Sequence, residues 1–169
     1  MLLTGSFART LDEKLRVGLP KSLRDEWDPG TDVGYLGPGT DGSLALYAPS
    51  VFSQLARELG AVSATGADVR AFGRLFYAQV QRVDFDPQGR LRLPTELARW
   101  AKLDKEVMLL GVRDHVEIWD RATWERYLAA QQTRYDEIVD AAFRASVARR
   151  PDVPPTTQPS MPPTAPPAN

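Results

Sequence analysis

A mixed α/β, strand-dominated fold built from two related halves is predicted for this 169-residue chain by three observations. The first is a duplication. Sliding the sequence by 74 positions lays Leu11-Asp12-Glu13-Lys14-Leu15-Arg16-Val17-Gly18-Leu19-Pro20 over Phe85 to Pro94, with Asp12 on Asp86, Arg16 on Arg90, Leu19 on Leu93 and Pro20 on Pro94. The register holds through Leu23 on Leu97, Val33 on Val107, Leu36 on Leu110 and Gly37 on Gly111. Dropping two residues of the first copy between Pro38 and Leu44 then brings Leu46-Tyr47 onto Ile118-Trp119 and Phe52 onto Trp124. Two copies cannot make an array, so the repeat reads as two halves of one pseudo-symmetric domain. The second observation is the alternation of Leu15, Val17 and Leu19 with Arg16 and Gly18, the period of a half-buried strand. The third is a composition of 43% hydrophobic and 25% charged residues, which suits one globular domain with a core.

Leu2 to Ala8 is apolar enough to pair as a strand, and Leu15 to Leu19 forms the next one, with Arg16 facing away from the core. Pro20 suits the first position of a short helix over 21–27, because it fixes a helical φ and lacks an N–H that would be orphaned there. Asp28-Pro29-Gly30 stops that helix. Residues 32–36 and 43–47 read as a hairpin around the turn-rich Gly37 to Gly42. Pro49 opens a further helix and Gly60 ends it, and Ala61 to Asp68 is a small, polar linker between the copies.

The second copy repeats this order. Residues 74–85 alternate loosely and read as a strand; the motif follows, then a short helix over 94–103, then a hairpin of residues 107–112 and 116–119. Asp120 is a fitting N-cap for a last helix. Trp124, Leu128, Gln131, Tyr135, Ile138 and Ala142 recur at spacings of four and three, which predicts one long helix of about five turns. The halves are therefore residues 1–62 and 69–148. In residues 149–169, eight of the last nineteen positions are Pro and only Asp152 among those nineteen is charged, a composition expected of a disordered, polyproline-leaning tail.

Several functional classes find no support in the sequence. With no cysteine, disulfides, thiol nucleophiles and Cys-based zinc sites are excluded, and a reducing cytoplasm fits. No apolar run approaches the ~20 residues of a spanning helix, so no membrane partner is expected. His115 is the only histidine and falls in a hairpin turn, where solvent exposure accounts for it. No nucleotide-binding glycine loop, catalytic pair or carboxylate cluster of metal spacing occurs, so the expectation is a non-enzyme without cofactors or metal. An Asp four residues before an Arg, present in both copies, reads as a device that closes a turn or orients that Arg.

The net charge of −1 gives no global attraction to nucleic acid. The charge is nevertheless segregated. Residues 70–105 hold eight basic against four acidic side chains, and residues 106–140 reverse that ratio. On charge alone, one DNA-facing surface and two ordinary solvated faces both fit. Lys14 and Arg16 in one copy, with Gln88, Arg90 and Arg92 in the other, form a usable set for groove reading, since Arg pairs bidentately with guanine, Gln with adenine, and either holds phosphates.

The motif pair, with Leu103 to Val107 and the stretch from Gly111 through Glu117-Ile118-Trp119-Asp120, resembles the MraZ family of bacterial transcriptional regulators. These carry two copies of the swapped-hairpin motif also found in AbrB and SpoVT regulators and MazE-type antitoxins. The resemblance spans about Gly5 to Val147 and is strongest at Asp86-Pro87-Gln88-Gly89-Arg90 with Leu93-Pro94. It implies a duplicated swapped-hairpin β-barrel with pseudo-twofold symmetry, short helices and a long C-terminal helix. It also implies a cytoplasmic, nucleoid-associated regulator that binds double-stranded DNA at direct repeats upstream of the division and cell wall gene cluster, its own operon, and assembles as a homo-oligomeric ring. Arg16 and Lys14 are then the first DNA contacts, Arg90, Gln88 and Arg92 follow, and Arg9 is a flanking phosphate contact; Asp12, Asp86, Gly89, Pro20 and Pro94 shape the loops. Where the family has Gly, this chain has Leu15. Positive φ there would cost Leu about 1–2 kcal/mol, which predicts a different turn for the first loop. The alternative from another class is an antitoxin-like protein-binding module that grips its partner with the C-terminal helix.

Overall fold

The computed structural model describes residues 2–61 and 66–148, so the expected Pro-rich tail and half of the linker between the copies lie outside the described residues. The chain divides into two compact units, Met1–Leu128 and Ala129–Asn169.

Strand β1 (Ser6–Thr10) is followed by β2 (Arg16–Gly18), helix α1 (Lys21–Arg24), a hairpin of β3 (Val33–Pro38) and β4 (Leu44–Tyr47), and helix α2 (Pro49–Ala61). Helix α3 (Ala67–Tyr77) leads into β5 (Gln81–Asp84), β6 (Arg90–Arg92), helix α4 (Thr95–Trp100), the hairpin of β7 (Glu106–Val112) and β8 (His115–Asp120), and helix α5 (Arg121–Gln132). The second unit contains helix α6 (Tyr135–Ala148).

Six strands form one antiparallel sheet in the order β1-β7-β8-β4-β3-β5, and β2 pairs with β6 in a separate two-stranded ribbon. The first strand of each copy thus joins the hairpin of the other: β1 pairs with β7, and β5 with β3. The sheet is open, with β1 and β5 at its edges, and does not close into the barrel that the family resemblance implied.

The core is duplicated as the chain is. Val17 and Leu91, Leu19 and Leu93, Leu23 and Leu97, Leu44 and Val116, and Leu46 and Ile118 are matched pairs, and all ten are buried. Each such aliphatic side chain contributes about 1.5–3 kcal/mol on burial. Both hairpins turn through a left-handed residue at matched positions, Asp41 (φ 54°) followed by Gly42 (φ 92°), and Arg113 (φ 59°). Asp-Gly with both residues left-handed suits the twist of a tight hairpin.

Four expectations are corrected. Pro20 and Pro94 stand one residue before their helices, with ψ of 143° and 134°, as N-cap residues. The Pro20 carbonyl accepts from the N–H groups of Leu23 and Arg24, and the Pro94 carbonyl from that of Ala98. The strand read over residues 74–85 shrinks to β5. Val69, Phe72 and Phe76 lie at helical spacing, and the buried Phe76 ring stacks on Phe72 (5.3 Å) and lies 6.4 Å from Phe52, so tertiary packing selects helix α3 over the loose alternation. The single long helix is divided into α5 and α6 at Thr133-Arg134. There the Thr133 hydroxyl donates to the Ala130 carbonyl, the Arg134 N–H to that of Gln131, and Asp136 and Glu137 favour a fresh N-terminus. Asp120 does cap α5: its Oδ1 accepts from the Thr123 N–H at 2.9 Å. The fourth concerns His115, which lies in β8 as a half-buried side chain rather than in an exposed turn.

Candidate nucleic-acid interface

The two motif loops close identically. In the first, Asp12 Oδ1 accepts from the backbone N–H groups of Lys14 (2.9 Å) and Arg16 (2.8 Å), and Oδ2 from Arg16 Nε (2.6 Å). In the second, Asp86 Oδ1 accepts from the N–H groups of Gln88 (3.0 Å) and Arg90 (2.9 Å), and Oδ2 from Arg90 Nε (2.8 Å). Backbone bonds repeat the match: Leu15 N–H donates to the Asp12 carbonyl at 2.9 Å, and Gly89 N–H to the Asp86 carbonyl at 2.7 Å. The Arg16 and Arg90 N–H groups, more than the guanidinium bonds, hold both carboxyls below their usual value, so both Asp side chains stay ionised and brace the arginine behind them.

Leu15 overturns the expectation of a different first turn. Its φ is 57°, beside 73° at Gly89, so both loops take the same left-handed conformation. Leu15 packs against the core, which offsets the conformational cost. At the matched position in the second loop, the Arg24 side chain passes over Gly89, with its Cδ 2.7 Å from where a Cβ would stand.

The ribbon register sets the charge. Arg16 lies opposite Arg92, Val17 opposite Leu91, and Gly18 opposite Arg90. Val17 and Leu91 point into the core, so Arg16, Arg90 and Arg92 share the outer face. Like charges directly opposite on an antiparallel pair are destabilising. Asp12 is committed to Arg16 and Asp86 to Arg90, so of the three arginines on this face Arg92 alone has no ion-pair partner among the described residues. Lys14 and Gln88 are exposed at the loop tips, and Gln88 Oε1 accepts from Arg90 Nη2 at 3.2 Å. Arg9 stands apart on the edge strand β1; its Nη1 donates to the Ala8 carbonyl at 2.8 Å and its guanidinium lies 5.9 Å from the Phe7 ring centroid.

Sequence reasoning assigned no role to Arg24. The signal was present: at matched positions, Leu15 and Ala98 in one site answer Gly89 and Arg24 in the other, a large residue trading places with a small one. Arg24 lines a pocket of about 410 Å³ together with Trp27, Asp32, Phe85, Asp86 and Gly89.

Away from the ribbon, His115 Nδ1 is 2.8 Å from Asp114 Oδ1 and Nε2 is 3.6 Å from Glu117 Oε1. Burial opposes its charged form, yet the bonds to Glu117 and Asp114 outweigh burial and raise its pKa above 6.5.

These features define a class: a mixed α/β scaffold with a six-stranded antiparallel sheet that displays a carboxylate-braced, arginine-bearing ribbon. Residues 76–145 match the family model described as "MraZ protein, putative antitoxin-like". Proteins named "Transcriptional regulator MraZ" are similar over most of their length. That of Finegoldia magna is 34% identical, covering 79% of this chain and 92% of its own. The relative from Carboxydothermus hydrogenoformans is 36% identical (80% and 93%), and that from Corynebacterium kroppenstedtii 37% identical (82% and 95%). The chain belongs to the MraZ family.

Proposed function

We propose that this protein is a transcriptional regulator that binds double-stranded DNA through the β2–β6 ribbon and its two flanking loops. The observation that carries the reading is the gathering of Arg16, Arg90 and Arg92 on one face of the ribbon, with Arg92 opposite Arg16 and without an acid partner of its own among the described residues: such a face favours a polyanion as the counter-charge. Family membership supports the same reading, since the relatives are named transcriptional regulators. Braced by Asp12 and Asp86, Arg16 and Arg90 are ordered before DNA arrives, which lowers the entropy lost on binding. Lys14 and Gln88 extend the contact at the loop tips, Arg92 holds phosphate, and Arg9 contacts the flanking backbone.

The exchange of first strands between the copies reads as a duplicated swapped hairpin, residues 1–62 and 69–148 being its halves. The targets are direct repeats upstream of the division and cell wall genes, in the protein's own operon. A homo-oligomeric ring would place several modest ribbons on successive repeats and raise affinity through effective concentration. The reading assigns no catalysis and no cofactor, and puts the protein in the cytoplasm at the nucleoid.

Fluorescence anisotropy of wild type and Arg16→Ala on DNA upstream of the gene, across a salt series, tests this. Steeply salt-dependent binding that weakens in the variant is expected. Wild-type binding that fails to distinguish that DNA from scrambled sequence at low salt would sink the operator assignment. A second reading, an antitoxin-like module using the C-terminal helix α6, is favoured by the exposure of Tyr135 (65%) and Ile138 (40%). A hydrophobic partner interface would respond weakly to salt.

A further inference from the structure

We infer that Arg24 is a phosphate-contacting residue belonging to the second loop alone, so that the two halves of the ribbon grip DNA unequally. The inference rests on the DNA-binding reading and extends it to a residue outside the motif.

Arg24 closes the short helix α1 and is exposed. Its side chain runs back across Gly89, the left-handed residue of the second loop, and its guanidinium makes no hydrogen bond or ion pair among the described residues. The nearest acid on the loop, Asp86, is already held by Arg90 and by two backbone N–H groups. A guanidinium held over Gly89 adds a cation to that end of the ribbon. Glycine at 89 is what allows this approach, since any Cβ would stand inside the Arg24 side chain.

The first loop is built the other way round. Leu15 fills the matched position and packs into the core, and Ala98, which answers to Arg24, is buried at 5% exposure. Glu13 stands where the second loop has Pro87, and Gly18 where it has Arg92. The second-loop end thus carries Arg24 and Arg90, whereas Arg92 lies across the ribbon from Arg16, at the first-loop end with Lys14 and Glu13. A fold with matched halves but differently placed cations docks on DNA in one preferred orientation, with Arg24 as the added backbone contact at the second-loop end. Arg24 lies on the helix behind the loop, so it is assigned to phosphate rather than to a base edge, and its contribution carries no sequence information.

The experiment uses the full chain with wild type, Arg24→Ala, Arg24→Lys and the double variant Arg24→Ala/Gly89→Leu, which gives the second loop the first loop's arrangement. Anisotropy over a salt series yields the slope of log K against log salt for each, on the upstream DNA and on single-base variants of it. Thermal melting checks folding. Arg24→Ala should melt as wild type does, lose about 0.9 from the slope per bound subunit, and weaken on all DNA variants by the same factor; Arg24→Lys should restore the slope. The double variant should match Arg24→Ala in slope. A steep wild-type slope that Arg24→Ala leaves intact, or that Arg24→Lys fails to restore, overturns the assignment of Arg24 while the DNA-binding reading stands. A flat wild-type slope overturns both.

Discussion

Replacing Leu15 by Gly and by Ala should reverse the usual order of stability. At φ 57°, Leu15 carries the left-handed penalty of about 1–2 kcal/mol that any side chain with a Cβ incurs. Its side chain is half-buried against the core, so truncation removes about half of the 1.5–3 kcal/mol of a fully buried leucine, or roughly 1–1.5 kcal/mol. Leu15→Ala keeps the penalty and loses the packing, for a net loss of about 1–1.5 kcal/mol. Leu15→Gly loses the same packing but sheds the penalty, set against about 0.5–1 kcal/mol for the greater freedom of glycine in the unfolded chain. The glycine variant should therefore be more stable than the alanine variant by about 0.5–1 kcal/mol, roughly 1–4 °C in Tm for a chain of this size. Urea denaturation at fixed protein concentration measures the difference, with slopes required to match so that midpoints can be compared. At an ordinary strand position glycine is the worse residue by about the same amount, so an alanine variant equal to or more stable than the glycine variant would refute the shared left-handed turn. Gly89→Ala is the complementary case and should destabilise by about 1–2 kcal/mol.

Three further outcomes are expected. Asp12 and Asp86 have folded-state pKa values below the usual 3.8, so their contribution is complete above that value and is lost as pH falls through the lowered one; Asp12→Ala/Asp86→Ala should flatten the acid end of the stability curve followed by tryptophan fluorescence, and an unchanged acid limb would contradict the bracing. His115 has the opposite sign: its folded-state pKa is raised, so its contribution is full below 6.5 and fades as pH rises through the folded value, and the wild-type Tm should decline over that interval while His115→Gln does not follow it. Leu91→Ala empties the fully buried underside of the ribbon and should cost about 2–5 kcal/mol in a denaturant titration, whereas a loss under 1 kcal/mol would mean that the ribbon is not seated on the core as described.

The duplicated motif, the strands β2 and β6, both hairpins and the N-cap at Asp120 were legible in the sequence because each is a local matter: a period of two, a turn dipeptide, a carboxylate three residues before an N–H. Pairing between distant segments was not. Nothing in the periodicity of residues 6–10 or 81–84 says that each joins the hairpin of the other copy, because any strand with an apolar face can pair with any other and only the assembled core selects among them. Residues 67–77 became a helix when Phe76 found Phe72 and Phe52, and the last helix divided where local hydrogen bonds at Thr133 and Arg134 outweighed an otherwise continuous stripe. Leu15 looked like a departure from the turn, and core packing made the same turn tolerable. The sequence determined which side chains are basic and which loop each belongs to. The tertiary structure decided that Arg16 faces Arg92 and that Arg24 lies over Gly89, because register and close approach depend on contacts between residues some 65–76 positions apart, which no local pattern encodes.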